Sequence, residues 1–307
     1  MFLRPAARRL RADHPLALEL AVLVLALAGA HLWRRGATAL LPILSRAVRV
    51  DGLVTRGLLA GALLLAGLVL YVGVYALLRD IDVGLSVPSG RDRRSLGLAL
   101  AVPPLLVGLT KLVGDLTGVP YNGLTMSAYG VGTPVPAVLA SLVPGLLVGA
   151  CSLTVVCQVL VQGTFARVVD GRRAAFLTTV LTAVVLSRST GGLSAFPARG
   201  KLALAAAFVL SLGLALYAVE AVERDGVRYL AYLPVTAVLG LVVVSLIAAT
   251  ESVAELLFGA THVAVLGLAA TSYERTHSLL VPAVAYLSLL LAEETVVLLF
   301  EAGMRSW

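Results

Sequence analysis

The apolar positions of this chain fall into long runs separated by short polar segments. A membrane-spanning helix needs about 20 consecutive, mostly apolar residues. Nine runs reach or approach that length: residues 16–33, 53–78, 96–113, 137–165, 174–187, 201–222, 229–249, 255–272 and 279–300. The fifth run is the shortest. The pattern therefore predicts an all-α polytopic membrane helix bundle with eight or nine transmembrane helices.

Segment 37–50 is too short and too basic to continue this pattern. Arg46 and Arg49 lie on one side of its helical projection, and its leucine, isoleucine and valine residues lie elsewhere. Such a segment is typical of an amphipathic helix in the membrane interface, and it would also suit the first half of a broken hairpin. We therefore predict an N-terminal transmembrane hairpin with an interfacial helix over residues 1–78, and a transmembrane core over residues 79–307.

Two longer loops interrupt the core. Residues 79–95 form the most charged stretch of the chain, and we expect them to lie in water. Residues 114–136 are nearly uncharged and rich in Gly, Pro, Thr and Tyr. Such a loop is either a solvated connector or a segment that folds back onto the bundle as a lid. The sequence favours the connector.

Composition supports the membrane assignment. Hydrophobic residues make up 59% of the chain and charged residues 13%, and the mean hydropathy is +0.97. A soluble domain carries about 25% charged residues. A soluble enzyme, a disordered chain and a disulfide-stapled secreted domain are therefore excluded.

The net charge of +7 comes from basic residues that lie mostly in short loops between apolar runs. This placement indicates contact with the anionic head groups of the lipid bilayer rather than with nucleic acid. Loop 79–95, together with Arg167, Arg172 and Arg173, favours a cell-membrane orientation with the N-terminus in the cytoplasm.

Four stretches of the core resemble a known family. Residues 83–96 read VGLSVPSGRDRRSL, residues 157–165 read CQVLVQGTF, and residues 177–190 read LTTVLTAVVLSRST. The best-matching stretch, residues 273–290, reads YERTHSLLVPAVAYLSLL. In this order they resemble the CPBP family, the CAAX-prenyl protease and bacteriocin-processing membrane proteins, also called the Abi family. The resemblance implies the fold of an intramembrane metalloendopeptidase.

The resemblance also implies where catalytic groups would fall. Family members carry E-E-x-x-x-R on one helix, F-x-x-x-H on the next and H-x-x-x-N on the last. In this chain the corresponding positions hold no carboxylate, arginine or histidine: they are Cys157, Gln158, Gln162, Leu186, Thr190, Tyr286 and Leu290. Gln158 and Gln162 are one helical turn apart and could hydrogen-bond to each other on one face.

The joint loss of these groups predicts a scaffold without catalysis. A buried carboxylate removed without its arginine would leave an unpaired charge in the membrane, which is strongly unfavourable. Here both partners are neutral. We therefore predict a CPBP-like integral membrane protein that is catalytically inactive, needs no cofactor, and binds a membrane peptide or protein partner.

A relocated active site is the first alternative. Glu251, Glu255 and His262 share one face of a predicted helix, and Glu293 and Glu294 lie inside the last apolar run. Ionisable residues inside a membrane are candidates for function. Glu255, His262 and Glu293 or Glu294 could surround a divalent metal such as zinc, or relay a proton. The opposing interpretation is hydrogen bonding between helices.

A small-solute transporter is the second alternative. Transporters commonly contain helices that are broken near the midplane of the membrane. Pro103, Pro104 and Pro144 lie inside predicted spans and could break them. Metal content and solute flux would separate these alternatives from a binding protein.

Overall fold

The computed structural model describes residues 15–49, 52–130, 135–187, 190–221, 225–248 and 250–303. Its helices are α1 Pro15–Ala47, α2 Leu53–Arg79, α3 Arg93–Thr117, α4 Tyr121–Thr125, α5 Val135–Thr154, the π-helical segment Val155–Gln162, α6 Gly163–Phe165, α7 Gly171–Leu186, α8 Arg199–Ala221, α9 Asp225–Ala231, α10 Leu233–Ala248, α11 Val253–Thr276 and α12 Leu280–Phe300. In the described ranges eight helices are long and apolar enough to cross a membrane. The predicted all-α multi-pass membrane bundle is confirmed.

The first helix differs from its prediction. The sequence predicts a separate short helix over 37–50, but α1 continues without a break to Ala47. Pro42 lies inside α1, and its carbonyl oxygen accepts hydrogen bonds from Oγ of Ser45 and Nε of Arg46. Ala37 and Ser45 are both buried, so the packed face of the helix extends through the predicted interfacial segment.

The centre of the bundle is the antiparallel hairpin of α11 and α12. Helix α3 packs against both members of the hairpin, α7 packs against α11, and α5 packs against α12. Helices α1, α2 and α8 form a second layer, in which α1 contacts both α2 and α8. Helix α10 is attached to this layer through α8.

Helix α7 corresponds to the fifth and shortest apolar run. It is 16 residues long, too short to be included among the eight spans. It nevertheless runs antiparallel to α11: a Cβ atom built on Gly267 would lie 3.5 Å from the Thr179 side chain, and Gly171 at the start of α7 lies against Glu274 near the end of α11. The loop that follows α7 therefore reaches the opposite end of α11.

The segment Val155–Gln162 is π-helical, a rare conformation that often marks functional sites. At its end the N–H group of Gly163 donates to the carbonyl oxygen of Gln158, five residues earlier. A Cβ atom on Gly163 would lie 2.7 Å from Cγ2 of Ile81, so glycine is needed for this close approach.

Loop 79–95 is docked on the turn between α11 and α12. The N–H group of Leu279 donates to the carbonyl oxygen of Gly84 over 2.9 Å, and Leu85 forms an isolated antiparallel β-bridge with Ser278. Gly84 has a φ of +59°, and a Cβ atom there would lie 2.6 Å from the carbonyl oxygen of His277. Only glycine allows the loop to approach the turn this closely.

The loop after α3 folds back onto the bundle, contrary to the preference for a solvated connector. Tyr121, Asn122 and Leu124 of α4 are buried. The carboxylate of Glu301, at the end of α12, accepts hydrogen bonds from the backbone N–H groups of Tyr121 and Asn122 over 2.7 and 2.5 Å. We call the described residues 118–130 the lid.

Candidate functional site

Three of the residues that the family resemblance singles out contact one another. Nε2 of Gln158 donates to the hydroxyl oxygen of Tyr286 over 3.4 Å, and the Cys157 thiol interacts electrostatically with the same hydroxyl. All three side chains are fully buried. We call Cys157, Gln158 and Tyr286 the motif cluster. It joins the π-helical segment to α12 through neutral groups.

Gln162 does not join the motif cluster. Its Nε2 atom donates to the carbonyl oxygen of Ala270 on α11 over 2.9 Å. The hydrogen bond to Gln158 considered from the sequence assumes the geometry of a regular α-helix, whereas both glutamines lie in the π-helical segment. The wider turn of that segment changes the angle between side chains four residues apart.

The remaining motif positions lie apart from the cluster. Leu186 is buried at the end of α7, and its carbonyl oxygen accepts from the N–H group of Ser194. Thr190 is exposed in the loop that follows α7. Leu290 faces α5, where a Cβ atom on Gly149 would lie 3.1 Å from its Cδ1 atom. The structure therefore brings only part of the resembled set together.

A cleft opens beside the motif cluster, with a volume of about 420 Å³. Its walls come from α2, loop 84–87, the junction of α5 with the π-helical segment, and the start of α12; they include Leu65, Val69, Gly84, Leu85, Ser86, Val87, Cys151, Thr154, Val155, Leu279, Leu280 and Ala283. We call it the motif cleft. Val155 and Ala283 each lie three residues before a member of the cluster, Gln158 and Tyr286. The cluster is therefore one helical turn away on both helices.

A second polar site lies further along α11 and α12. Nε2 of His262 is 2.9 Å from Oε1 of Glu293, and both side chains are buried. Nδ1 of His262 is 2.7 Å from the carbonyl oxygen of Phe258 on the preceding turn of α11. The rings of Phe258 and His262 stand edge to face, with centroids 4.4 Å apart. We call His262 and Glu293 the dyad.

The other members of the predicted alternative site have different partners. Glu255 lies in the first turn of α11, where its N–H group donates to Oγ of the N-cap residue Ser252 and its carboxylate accepts from the N–H group of Glu251. Glu255 therefore takes part in the hydrogen bonds at the start of the helix, and no hydrogen bond or ion pair joins it to the dyad among the described residues. The Glu294 carboxylate accepts from the hydroxyls of Ser127 and Tyr129, which holds the end of the lid.

A metal at the dyad would find few protein ligands. Among the described residues no group of three or more His, Cys, Asp or Glu side chains is arranged to hold a metal ion. The dyad itself offers one imidazole nitrogen and one carboxylate. Structural and catalytic zinc sites have at least three protein ligands.

The lid covers the dyad from the end of the bundle. The ring of Tyr121 stands edge to face with Phe258 at 5.9 Å, and the Tyr121 side chain is completely buried. Burial, reinforced by the negative charges of Glu293, Glu301 and Glu294, raises the pKa of the Tyr121 hydroxyl well above its ordinary value, so it remains a neutral donor.

The loop after α7 completes the cover. The N–H group of Gly191 donates to the carbonyl oxygen of Leu124 on the lid over 2.7 Å. A Cβ atom on Gly192 would lie 3.4 Å from Nε2 of His262 and 3.8 Å from Oε2 of Glu293. Gly191 and Gly192 have φ values of +82° and +72°, which other residues rarely adopt.

The sequence pattern gives little indication of the residues that hold the lid, Lys111 and Glu301. Lys111 and Asp115, four residues apart on α3, form an ion pair, and Lys111 also contacts Glu301. Glu301 has no partner close in sequence. The one available signal was an acidic residue directly after the last apolar run, which also suits an ordinary solvated helix end.

No family model, curated protein or solved structure matches this chain. The structure supports the class of the molecule, an integral membrane helix bundle with two buried polar sites at α12. Membership of the CPBP family stays a prediction from the four quoted sequence stretches.

Proposed function

We propose that this protein binds an extended segment of a membrane peptide or protein partner in the motif cleft and does not cleave it. The main observation in support of this proposal is the extended segment 84–87, which forms one wall of the motif cleft. Leu85 and Val87 are 82% and 84% exposed, and they lie in a segment already paired on its other edge with Ser278.

The backbone of this wall supports binding of an extended chain. The carbonyl oxygen of Gly84 accepts a hydrogen bond from the N–H group of Leu279, and that of Ser86 accepts one from Oγ of Ser278. In the antiparallel bridge with Ser278, the N–H and C=O groups of Leu85 point away from the turn. Among the described residues they have no hydrogen-bond partner. A peptide that adds to such an edge gains main-chain hydrogen bonds, and pockets select its side chains.

The chemistry of the motif cluster supports binding without cleavage. Peptide hydrolysis needs a general base or a metal that activates water. The resemblance to the CPBP family places those groups at Cys157, Gln158 and Tyr286, and these side chains are neutral and sealed from the cleft by full burial. The motif cleft can therefore bind a peptide beside the motif cluster, whose side chains cannot act as a general base or hold a catalytic metal.

Site-specific photocrosslinking in native membranes tests this proposal. A photoreactive phenylalanine replaces Val87, and the control places it at Leu100, which is exposed on α3 away from the cleft. Leu85→Pro then removes one edge N–H group, whereas Leu85→Ala keeps it. We expect a discrete peptide adduct at position 87 that survives Leu85→Ala and is lost in Leu85→Pro.

Two results would contradict the proposal. Identical adducts at positions 87 and 100, or equal crosslinking in the two Leu85 variants, would show that the edge does not recognise a chain. Recovery of the crosslinked peptide as fragments that form only with the intact protein would show cleavage. Monodispersity of both variants by size-exclusion chromatography excludes unfolding as the cause of a loss.

The dyad favours one second candidate, an intramembrane metalloendopeptidase with a relocated site. His262 and Glu293 approach to 2.9 Å inside the bundle, and both are potential metal ligands. Elemental analysis of the purified protein tests this candidate: stoichiometric zinc that is lost in His262→Ala would support it, and its absence at saturating zinc would contradict it.

A further inference from the structure

An open groove lies where four helices meet, α7, α8, α10 and α11, and its volume is about 660 Å³. Helix α10 packs on α8, and in the described ranges it does not pack closely on α7 or α11, so a space stays open between them. We call this space the α7–α10 groove. Its lining includes Phe176, Ser187, Lys201, Leu246, Gly259 and Val263.

The length of the groove matches the depth of one membrane leaflet. On α7 the lining extends from Phe176 to Ser187, which is about 16 Å at the helical rise per residue. One leaflet contributes half of a hydrocarbon core that is about 30 Å thick. An acyl chain that starts at the membrane interface therefore has the reach to fill the groove.

The walls of the groove favour hydrocarbon over water. Most of the lining is apolar, as at Val184 and Val243, and the Thr179 hydroxyl donates to a carbonyl oxygen of its own helix. Gly259 is buried, and a Cβ atom built there would meet no other part of the described chain within 4 Å. Water in such a space would find few hydrogen-bond partners, whereas an acyl chain would gain dispersion contacts.

A positive charge stands at one end of the groove. Lys201 lies in the first turn of α8, and its Nζ atom donates to the carbonyl oxygen of Ser187, directly after the last residue of α7. Because α7 ends and α8 begins here, this end of the groove faces the membrane interface. Lipid phosphates lie at that level, and a lysine side chain can extend its ammonium group towards them.

The charge of the groove has one sign. Among the described lining residues Lys201 alone is ionisable in the physiological range. The acid that precedes the lining on α11, Glu255, lies outside it, and its carboxylate accepts from the N–H group of Glu251. Arg199, also in the first turn of α8, is exposed and adds a second positive charge near this end.

We propose that the α7–α10 groove binds one anionic phospholipid, with an acyl chain between the helices and the phosphate at Lys201. An ammonium group offers a positive charge and N–H donors to phosphate oxygens. Basic pockets between transmembrane helices recognise anionic head groups by the same chemistry. The groove is separate from the motif cleft, and the proposal does not depend on peptide binding there.

Native mass spectrometry of the full chain in detergent tests the role of charge. The protein is titrated with dioleoyl phosphatidylglycerol or dioleoyl phosphatidylcholine, which share their acyl chains and differ in net charge. We expect one phosphatidylglycerol per chain, bound roughly fivefold more tightly than phosphatidylcholine, because one basic residue near anionic lipid contributes about that factor.

Variants of Lys201 connect this preference to the groove. Lys201→Gln should abolish it, whereas Lys201→Arg should retain it. The control Arg94→Gln removes an exposed positive charge from α3, outside the groove, and should leave the preference unchanged. Equal affinities for the two lipids in the unmodified protein, or a preference that persists in Lys201→Gln, would overturn the proposal.

Filling the groove tests the place of the acyl chain. Gly259→Leu puts a side chain into the open space and should weaken the binding of both lipids. The control Gly108→Leu adds the same side chain at an exposed position of α3 and should not. Size-exclusion chromatography shows whether both variants fold; if Gly259→Leu does not, the Lys201 variants decide. Unchanged lipid binding in folded Gly259→Leu would refute the proposal, as would a lipid-free dimer that this variant disrupts, because a second copy would then fill the groove.

Discussion

Nζ of Lys111 on α3 lies 2.7 Å from Oε1 of Glu301, at the end of α12 and 190 residues away in sequence. The same carboxylate binds two backbone N–H groups of the lid. One buried acid therefore connects the last helix, the third helix and the segment that covers the dyad.

Glu301→Ala should release the lid. The change leaves Lys111 and two buried N–H groups without their acceptor, which costs about 3 kcal/mol. Hydrogen exchange of residues 118–130 should become faster, and the melting temperature should fall. The control Asp115→Asn removes the exposed partner of the same lysine and should cost under about 1 kcal/mol. Unchanged lid exchange in Glu301→Ala would disprove this role.

Gly192→Ala should destabilise the loop above the dyad. Its φ of +72° is unfavourable for a residue with a Cβ atom, by about 1 kcal/mol, and that atom would lie in van der Waals contact with His262. Gly200→Ala, in α8 with open space around the new atom, should be neutral or slightly stabilising. Thermal unfolding distinguishes the two; equal effects would contradict the role of the backbone conformation.

Gln158→Glu should destabilise the bundle without creating a peptidase. A carboxylate at this fully buried position would have no cationic partner in the motif cluster, so we expect a loss of about 3 kcal/mol or more near neutral pH. Gln158→Met has similar volume and should cost less, because Oε1 of Gln158 already lacks a hydrogen-bond partner among the described residues. Cleavage of membrane peptides by Gln158→Glu would contradict the prediction.

The two cysteines should react differently with a small maleimide. Cys151 is exposed and lines the motif cleft, whereas Cys157 is fully buried. Mass spectrometry of the folded protein should find one modified cysteine, and Cys151→Ser should show none until the protein is unfolded. Rapid modification of Cys157 in the folded state would mean that the motif cluster is open.

The sequence predicted the helices well because long apolar runs have few alternatives inside a membrane. It placed the boundaries less well. The α1 helix passes through Pro42, and Ser45 on the far side of the proline is still buried. The lid was only the less favoured alternative for its loop, since it is anchored by Glu301 and Glu294, and contacts between residues so far apart leave no local pattern.

The candidate site could be predicted only in part. The common face of Glu255 and His262 was a correct deduction for an ideal helix, but α11 starts at Val253, and Glu255 in its first turn bonds to Glu251 and to the N-cap residue Ser252. Glu293 and Glu294 are adjacent, and successive helical residues point about 100° apart. Which of the two points to which neighbour depends on how α12 packs in the bundle, and this cannot be deduced from the sequence. In the structure Glu293 faces His262 and Glu294 faces the lid.

The π-helical segment has a consequence for how this membrane span can change. Compared with a regular α-helix, the segment changes the direction in which the residues after it point around the helix axis. Helix α5 before it packs on α12, whereas Gln162 at its end bonds to α11. A π-turn closes a bond five residues back and so accommodates one residue more than an α-turn. Deleting one residue between 155 and 162 would therefore let the segment become α-helical while the parts before and after it keep their faces, so this span can absorb a single-codon deletion locally.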